Sequence, residues 1–126
     1  MRTTRRAIVV SAILVVALLA GVRAADVTGT WSATFPTDAG EQQYAYQFTV
    51  KGSELTGTAK GNLTGETKIT EGKVDGQTIS FVEAATFQGM PFRIEYTGSM
   101  TSADEIKFTR KVADIATEQL VAKRVK

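Results

Sequence analysis

Apolar and polar residues alternate with a period of two through most of the chain, and this pattern constrains the fold more than any other feature. From Val27 to Phe35, small or apolar residues and the single tryptophan, Trp31, occupy every second position. Successive side chains of a β-strand point to opposite faces, so the pattern predicts strands with one apolar face. No segment after residue 24 has a convincing helical stripe, and residues 112–119 offer at most one helical turn.

Eight such strands are predicted, joined by polar turns. The clearest turn signals are the segments 51–54 and 75–76, each of which contains a glycine. In the fourth strand Ile69 and Val74 have opposite parity, and a β-bulge near Gly72 would put both on one face. The pattern therefore predicts an all-β fold, an eight-stranded antiparallel up-and-down meander that closes into a barrel without free edges. A sandwich of two four-stranded sheets is the alternative.

The first 24 residues have the layout of an export signal. A basic segment, 1–6, precedes an apolar run, 7–22, and a small-residue cleavage site at Ala24/Ala25. The run of about 16 residues is shorter than the roughly 20 that span a bilayer, so we expect cleavage rather than a membrane anchor. Residues 25–126 would then form one barrel domain in the bacterial periplasm or outside the cell. We expect the general secretory route rather than the twin-arginine route.

The composition excludes several kinds of site. The chain has no histidine and no cysteine, so zinc, copper, haem and iron–sulfur sites lose their usual ligands. We expect no metal, no cofactor and no disulfide. Histidine- and thiol-based catalysis is excluded, and paired-carboxylate hydrolysis is poorly supported, so we expect no enzyme.

Four of the 15 basic residues lie in the export signal, which leaves 11 basic against 13 acidic residues. A net charge of −2 argues against nucleic-acid binding.

Three charged residues fall on otherwise apolar strand faces: Glu83, Arg110 and Arg124. A buried charge without a partner is costly, so each should either form a pair or lie at the barrel rim. One interpretation is a polar cluster at the mouth of a cavity, and the other is a purely structural salt bridge. The candidate ligand-binding residues are Tyr44, Tyr46, Glu83, Tyr96 and Arg110.

We place this candidate mouth opposite the end of the barrel that contains Trp31. Longer loops are expected there at 36–41 and 86–91, with Phe87 and Met90 either capping a cavity or contacting a partner. Arg110 is the residue that we expect to hold an anionic or hydroxylated ligand group.

A few residues carry a family resemblance. Gly29-Thr30-Trp31 opens the first strand, Arg124 lies on the last, and Leu55-Thr56-Gly57-Thr58 is similar to the third strand of avidin-like proteins. With the eight-strand meander, they resemble the calycin superfamily, which includes lipocalins and avidins. The resemblance implies that Trp31 closes one end of the barrel and that Arg124 packs across its ring as a structural latch. Avidins use several tryptophans to bind biotin, and this chain has one, so biotin is not expected. The chain also resembles small exported proteins of soil bacteria.

Two function classes remain open. The first is an exported barrel that binds an apolar or amphipathic small molecule. The second is a protein-interaction barrel similar to periplasmic protease inhibitors, or a non-catalytic module associated with the envelope or its carbohydrates. An open cavity would favour the first class, and a filled interior would favour the second. Lys107, Lys111 and Lys123 are predicted to form a basic outer patch that either contacts an anionic partner or only keeps the sheet soluble.

Overall fold

A computed structural model describes residues 26–126, and the predicted export signal with its cleavage site lies outside these residues. The strands are β1 (Gly29–Thr37), β2 (Gly40–Lys51), β3 (Glu54–Gly61), β4 (Gly65–Asp75), β5 (Thr78–Phe87), β6 (Met90–Ser102), β7 (Glu105–Val112) and β8 (Ala116–Arg124). Each strand pairs antiparallel with the next, and β1 pairs with β8 through Trp31 and Ser32, which closes the barrel. The predicted up-and-down barrel is confirmed, and the sandwich alternative is wrong.

The up-and-down order sorts the turns between the two ends of the barrel. The β1–β2, β3–β4, β5–β6 and β7–β8 turns lie at one end, here called the open end. The other three turns, together with residues 26–28 and 125–126, lie at the opposite end, here called the latched end. Trp31 is near the latched end, because it pairs with Arg124 at the last position of β8.

Aromatic side chains fill the middle of the barrel. Five buried rings contact one another with centroid separations of 4.3–6.4 Å: Tyr46, Phe48, Phe81, Tyr96 and Phe108. Most of these pairs are edge-to-face or tilted, the geometry that aromatic quadrupoles favour. An eight-stranded barrel is narrow enough for such side chains to fill it. The interior is therefore a packed core, and space for a ligand is confined to an end.

The predicted β-bulge is present in β4. The register with β5 shifts between Thr70 and Lys73, and both Ile69 and Val74 are buried. One extra residue reverses the parity of the strand, which is why two residues of opposite parity reach the same core.

The turns at the open end are tighter than the sequence suggested. β1 and β2 are joined through residues 38–39, and β5 and β6 through Gln88 and Gly89. Both φ angles of the second turn are positive, at 52° and 79°, as a two-residue type I′ hairpin requires. The expectation of longer loops at 36–41 and 86–91 is wrong, because the strand pairing continues to the turns. The described residues contain only strands and turns, and so include no helix that could cross a membrane.

Candidate functional site

A buried hydrogen-bond network lies between the aromatic core and the open end, with Glu83 on β5 at its centre. Glu83 is fully buried and accepts from the hydroxyls of Tyr96 at 3.0 Å and Tyr44 at 2.9 Å, one on each carboxylate oxygen. Thr67 Oγ1 lies 3.4 Å from Oε2 of the same carboxylate. Tyr46 donates to the hydroxyl oxygen of Tyr96 at 3.0 Å. Each residue reaches the interior because it occupies an inward position of its strand.

Arg110 on β7 supplies the positive charge of this network. Its Nε donates to the oxygen of Tyr96 at 2.9 Å, its Nη2 to that of Tyr44 at 3.0 Å, and its Nη1 to Glu118 on β8 at 2.5 Å. The guanidinium also lies 5.2–5.8 Å from the ring centroids of Phe35, Tyr44 and Tyr96. The two tyrosines therefore connect Glu83 to Arg110, and the direct ion pair of Arg110 is with Glu118.

Burial shifts the titration of these groups. It raises the pKa of Glu83, and hydrogen bonds from the tyrosines and the Arg110 charge oppose that rise. Burial also raises the pKa of Tyr44 to about 12 and the pKa values of Tyr46 and Tyr96 above the usual range. All three hydroxyls therefore keep their protons and can donate hydrogen bonds. Burial alone would lower the pKa of Arg110, but the surrounding oxygens more than offset this and its pKa is raised.

A cavity of about 150 Å³ lies at the open end, next to this network. Its apolar wall is formed by Ala85, Phe87, Phe92, Ile94, Val112, Ile115 and Ala116. Its polar lining is formed by Thr37, Asp38, Gln42, Thr64, Arg110 and Glu118, and Ala39 also lines the cavity. Strands from both sides of the barrel contribute, because the four turns of the open end surround it. A ligand in this cavity would contact an apolar wall and a small number of polar groups, as is usual for small-molecule sites.

One fully buried side-chain atom of this lining has no partner among the described residues. Gln42 is 6% exposed and donates from Nε2 to Thr37 Oγ1 at 3.2 Å, whereas its Oε1 makes no hydrogen bond. Buried side-chain oxygens are nearly always paired, so this exception calls for a physical reason.

The structure brings the five predicted site residues together but separates their roles. Arg110 lines the cavity, and Tyr44, Tyr46, Glu83 and Tyr96 lie behind it in the network. The expectation that all five form the mouth is corrected on this point, because their hydroxyl and carboxylate groups bond to one another. Phe87 lines the cavity, one of the two roles expected for it, whereas Met90 is not among the lining residues and is 61% exposed.

Of the polar residues that line the cavity, the sequence predicted Arg110 alone as a site residue. Gln42 shares the inward parity of Tyr44 and Tyr46 on β2, and Glu118 shares that of Leu120 on β8. The period-two pattern could have identified both. Each precedes the first large apolar residue on the inward face of its strand, Tyr44 on β2 and Leu120 on β8, and so lies outside the clear apolar run.

The latched end holds Trp31 and Arg124 together. Trp31 is fully buried and donates from Nε1 to the carbonyl of Val27 at 2.9 Å. The guanidinium of Arg124 lies 4.5 Å from the Trp31 ring centroid, which is a cation–π distance. The same guanidinium donates to backbone carbonyls of Thr28 at 2.8 Å and Ala103 at 3.0 Å. The pair therefore ties the first strand to the last and to the β6–β7 turn.

The three lysines predicted as one outer patch are spread along the last hairpin. Lys107 lies opposite Val121, while Lys123 pairs with Glu105 at 3.4 Å. Lys111 lies opposite Thr117, six residues along β8 from Lys123, a separation of about 20 Å. The expectation that Lys111 lies near Lys123 is wrong, because antiparallel pairing places the C-terminal end of β7 beside the start of β8.

The described residues hold no cluster of three metal-ligating side chains. Comparison with known proteins gives no match to a protein-family model, to a curated protein or to a solved structure.

Proposed function

We propose that this chain is an exported small β-barrel protein that binds an apolar or amphipathic small molecule at its open end. The observation that carries the proposal is the cavity of about 150 Å³, with its apolar wall and polar lining. An apolar protein cavity of about this volume accommodates a ligand the size of benzene. The filled middle of the barrel favours the protein-interaction class, whereas the cavity at the open end favours ligand binding. The proposed ligand therefore binds at the mouth and does not enter a deep central pocket.

The proposal includes membership of the calycin class and export from the cytoplasm. The closed eight-stranded barrel and the stack of Arg124 on Trp31 support the first part. The charge and apolar pattern of residues 1–24 supports the second. Mass spectrometry of the exported product tests the second part: a mature N-terminus at Ala25 is expected, and an intact segment 1–24 would contradict it.

Titration calorimetry with benzyl alcohol and cyclohexanol tests the binding function. We expect a Kd of about 1 mM or tighter for at least one of them, the modest affinity available to so small a ligand. Ala116 lines the cavity, so Ala116→Phe fills it and should weaken binding at least about tenfold. Ala84 is exposed on the outer face of β5, and Ala84→Phe is the control that should leave binding unchanged. Equal binding by folded Ala116→Phe and wild type would contradict the proposed site.

A second function, docking to a protein partner through the open end, is favoured by one observation. Met90 and Ile115 are 61% and 70% exposed, and both lie at this end, Met90 at the start of β6 and Ile115 in the β7–β8 turn. Ile115 also lines the cavity, whereas Met90 has no such role. Contiguous exposed apolar residues are typical of contact surfaces. If neither alcohol binds, a protein-interaction barrel becomes the preferred function.

A further inference from the structure

Gln42 Oε1 is a hydrogen-bond acceptor without a partner, so the lining of the cavity lacks a hydrogen-bond donor at this position. Thr37 Oγ1 donates its only proton to the carbonyl of Gly40 at 2.7 Å, so it can only accept from Gln42. In this structure the amide nitrogen of Gln42 therefore faces Thr37, and the remaining oxygen is an acceptor without a donor. This oxygen is also closed off from solvent in the present side-chain arrangement.

A second free acceptor lies in the same lining. Glu118 uses Oε1 for its ion pair with Arg110, and its Oε2 makes no hydrogen bond to the described residues. The Glu118 side chain is 12% exposed and is one of the residues that line the cavity. The lining therefore contains a buried amide oxygen without a donor and a carboxylate with one oxygen outside the ion pair.

The charges of the lining favour a cation over an anion. The charged residues that line the cavity are Asp38, Arg110 and Glu118, an excess of one negative charge. Arg110 is neutralised by Glu118 and directs three of its N–H groups to Glu118 and the two tyrosines. A bound anion would lie against the Glu118 carboxylate and near Asp38, and like charges at close range repel. A bound cation would meet the unused oxygen of Glu118.

We infer that the ligand of this cavity is a small organic cation, a protonated amine on an apolar ring or short chain. The inference rests on the proposed function, since it names the class of molecule that the proposed site binds. The ammonium donates to Glu118 Oε2. On binding, rotation about the soft terminal torsion of Gln42 turns its Oε1 toward a second N–H, and its amide nitrogen gives up the bond to Thr37. The apolar body contacts Phe87, Phe92 and Val112.

Three probes of nearly equal size and shape test the inference: benzylamine, benzyl alcohol and benzoate. Titration calorimetry at about pH 7 compares a cation, a neutral donor and an anion on the same ring. We expect benzylamine to bind at least about tenfold more tightly than benzyl alcohol, because a charge-assisted hydrogen bond is stronger than a neutral one. We expect benzoate to bind most weakly.

Two variants separate the contributions of the acceptors. Glu118→Gln removes the charge but keeps an oxygen for Arg110, and should reduce the preference for benzylamine over benzyl alcohol at least about fivefold. Gln42→Leu removes the unpaired oxygen and should weaken benzylamine binding about threefold or more without weakening toluene binding. Gln43→Leu and Glu54→Gln are the controls, because both side chains are exposed and neither lines the cavity. Thermal unfolding verifies that each variant is folded.

The possible outcomes distinguish this inference from the proposed function. Binding of all three probes with equal affinity, or tightest binding of benzoate, overturns the inference and leaves the binding function intact. A preference for benzylamine that survives in both folded variants also overturns it. Absence of binding by all three probes overturns both the inference and the binding function. A preference for benzylamine that is lost in Glu118→Gln and kept in the two controls supports the inference.

Discussion

Arg110 holds the buried network together, because it donates to two tyrosines and a carboxylate that lie on three other strands. We predict that Arg110→Met lowers the free energy of unfolding by about 3–5 kcal/mol, since it leaves buried acceptors and a carboxylate unpaired. Arg93→Met is the control: Arg93 and Glu71 pair on the surface with both side chains more than half exposed, so little change is expected. Urea denaturation measures both variants. Equal losses would show that the network adds no stability.

Glu83 gives the network a dependence on pH. Burial raises its folded-state pKa above the ordinary 4.5, so the folded protein binds this proton more tightly than the unfolded chain. The stability that Glu83 contributes is therefore fully present below pH 4.5 and is lost as the pH rises toward the raised value. We predict that the stability of wild type relative to Glu83→Gln decreases over this window. Urea denaturation at several pH values checks the sign, and an increase with pH would contradict it.

Trp31 reports directly on the latched end, because it is the single tryptophan of the chain. Its full burial beneath Arg124 predicts blue-shifted fluorescence in the native protein and a red shift on unfolding. Trp31→Ala should lower the free energy of unfolding by about 3–5 kcal/mol, as for other buried large aromatic side chains. Solvent-like emission from the folded protein would contradict this placement.

Strand pairing at the β2–β3 contact depends on a glycine. Gly57 has a φ of 148°, and a Cβ at this position would collide with the backbone carbonyl of Gln47 on β2. We predict that Gly57→Ala lowers the free energy of unfolding by about 1–3 kcal/mol. Gly40→Ala is the control, because Gly40 also has a positive φ, 112°, but a Cβ there meets open space. Equal losses in the two variants would mean that the collision with Gln47 costs nothing.

At the scale of the strands, the sequence predicted element type and order well but element ends poorly. Alternation located all eight strands, and the parity conflict between Ile69 and Val74 correctly predicted the bulge. Loops are expected at 36–41 and 86–91 from the placement of the mouth opposite Trp31, and each segment contains a proline. In the barrel both prolines lie within strands next to a tight turn, as positions near a strand end allow.

For the candidate site, parity showed which side chains point inward but not how far each fills the interior. Glu83, Arg110 and the three tyrosines were therefore correctly expected inside, while their mutual bonding and their distance from the cavity were not foreseen. Those properties depend on the positions of residues from four strands around the barrel. A pattern along one strand carries no information on them.

The whole molecule has two different ends, and this asymmetry is the basis of the proposed function. At the latched end Trp31 and Arg124 join β1 to β8 and to the β6–β7 turn. At the open end four hairpin turns surround a cavity of about 150 Å³. The packed aromatic middle separates the two ends, so a ligand at the mouth would leave the latched end unaffected.

Backbone amide chemical shifts during a titration with benzyl alcohol test this account most directly. Residues 37–42 and 112–118 at the open end include cavity-lining positions, and their amide chemical shifts are predicted to change. The amide chemical shifts of residues 103–106 and 122–126, at the latched end, should not change. Changes centred on the latched end, changes spread over the outer faces of the strands, or no changes at all would contradict it.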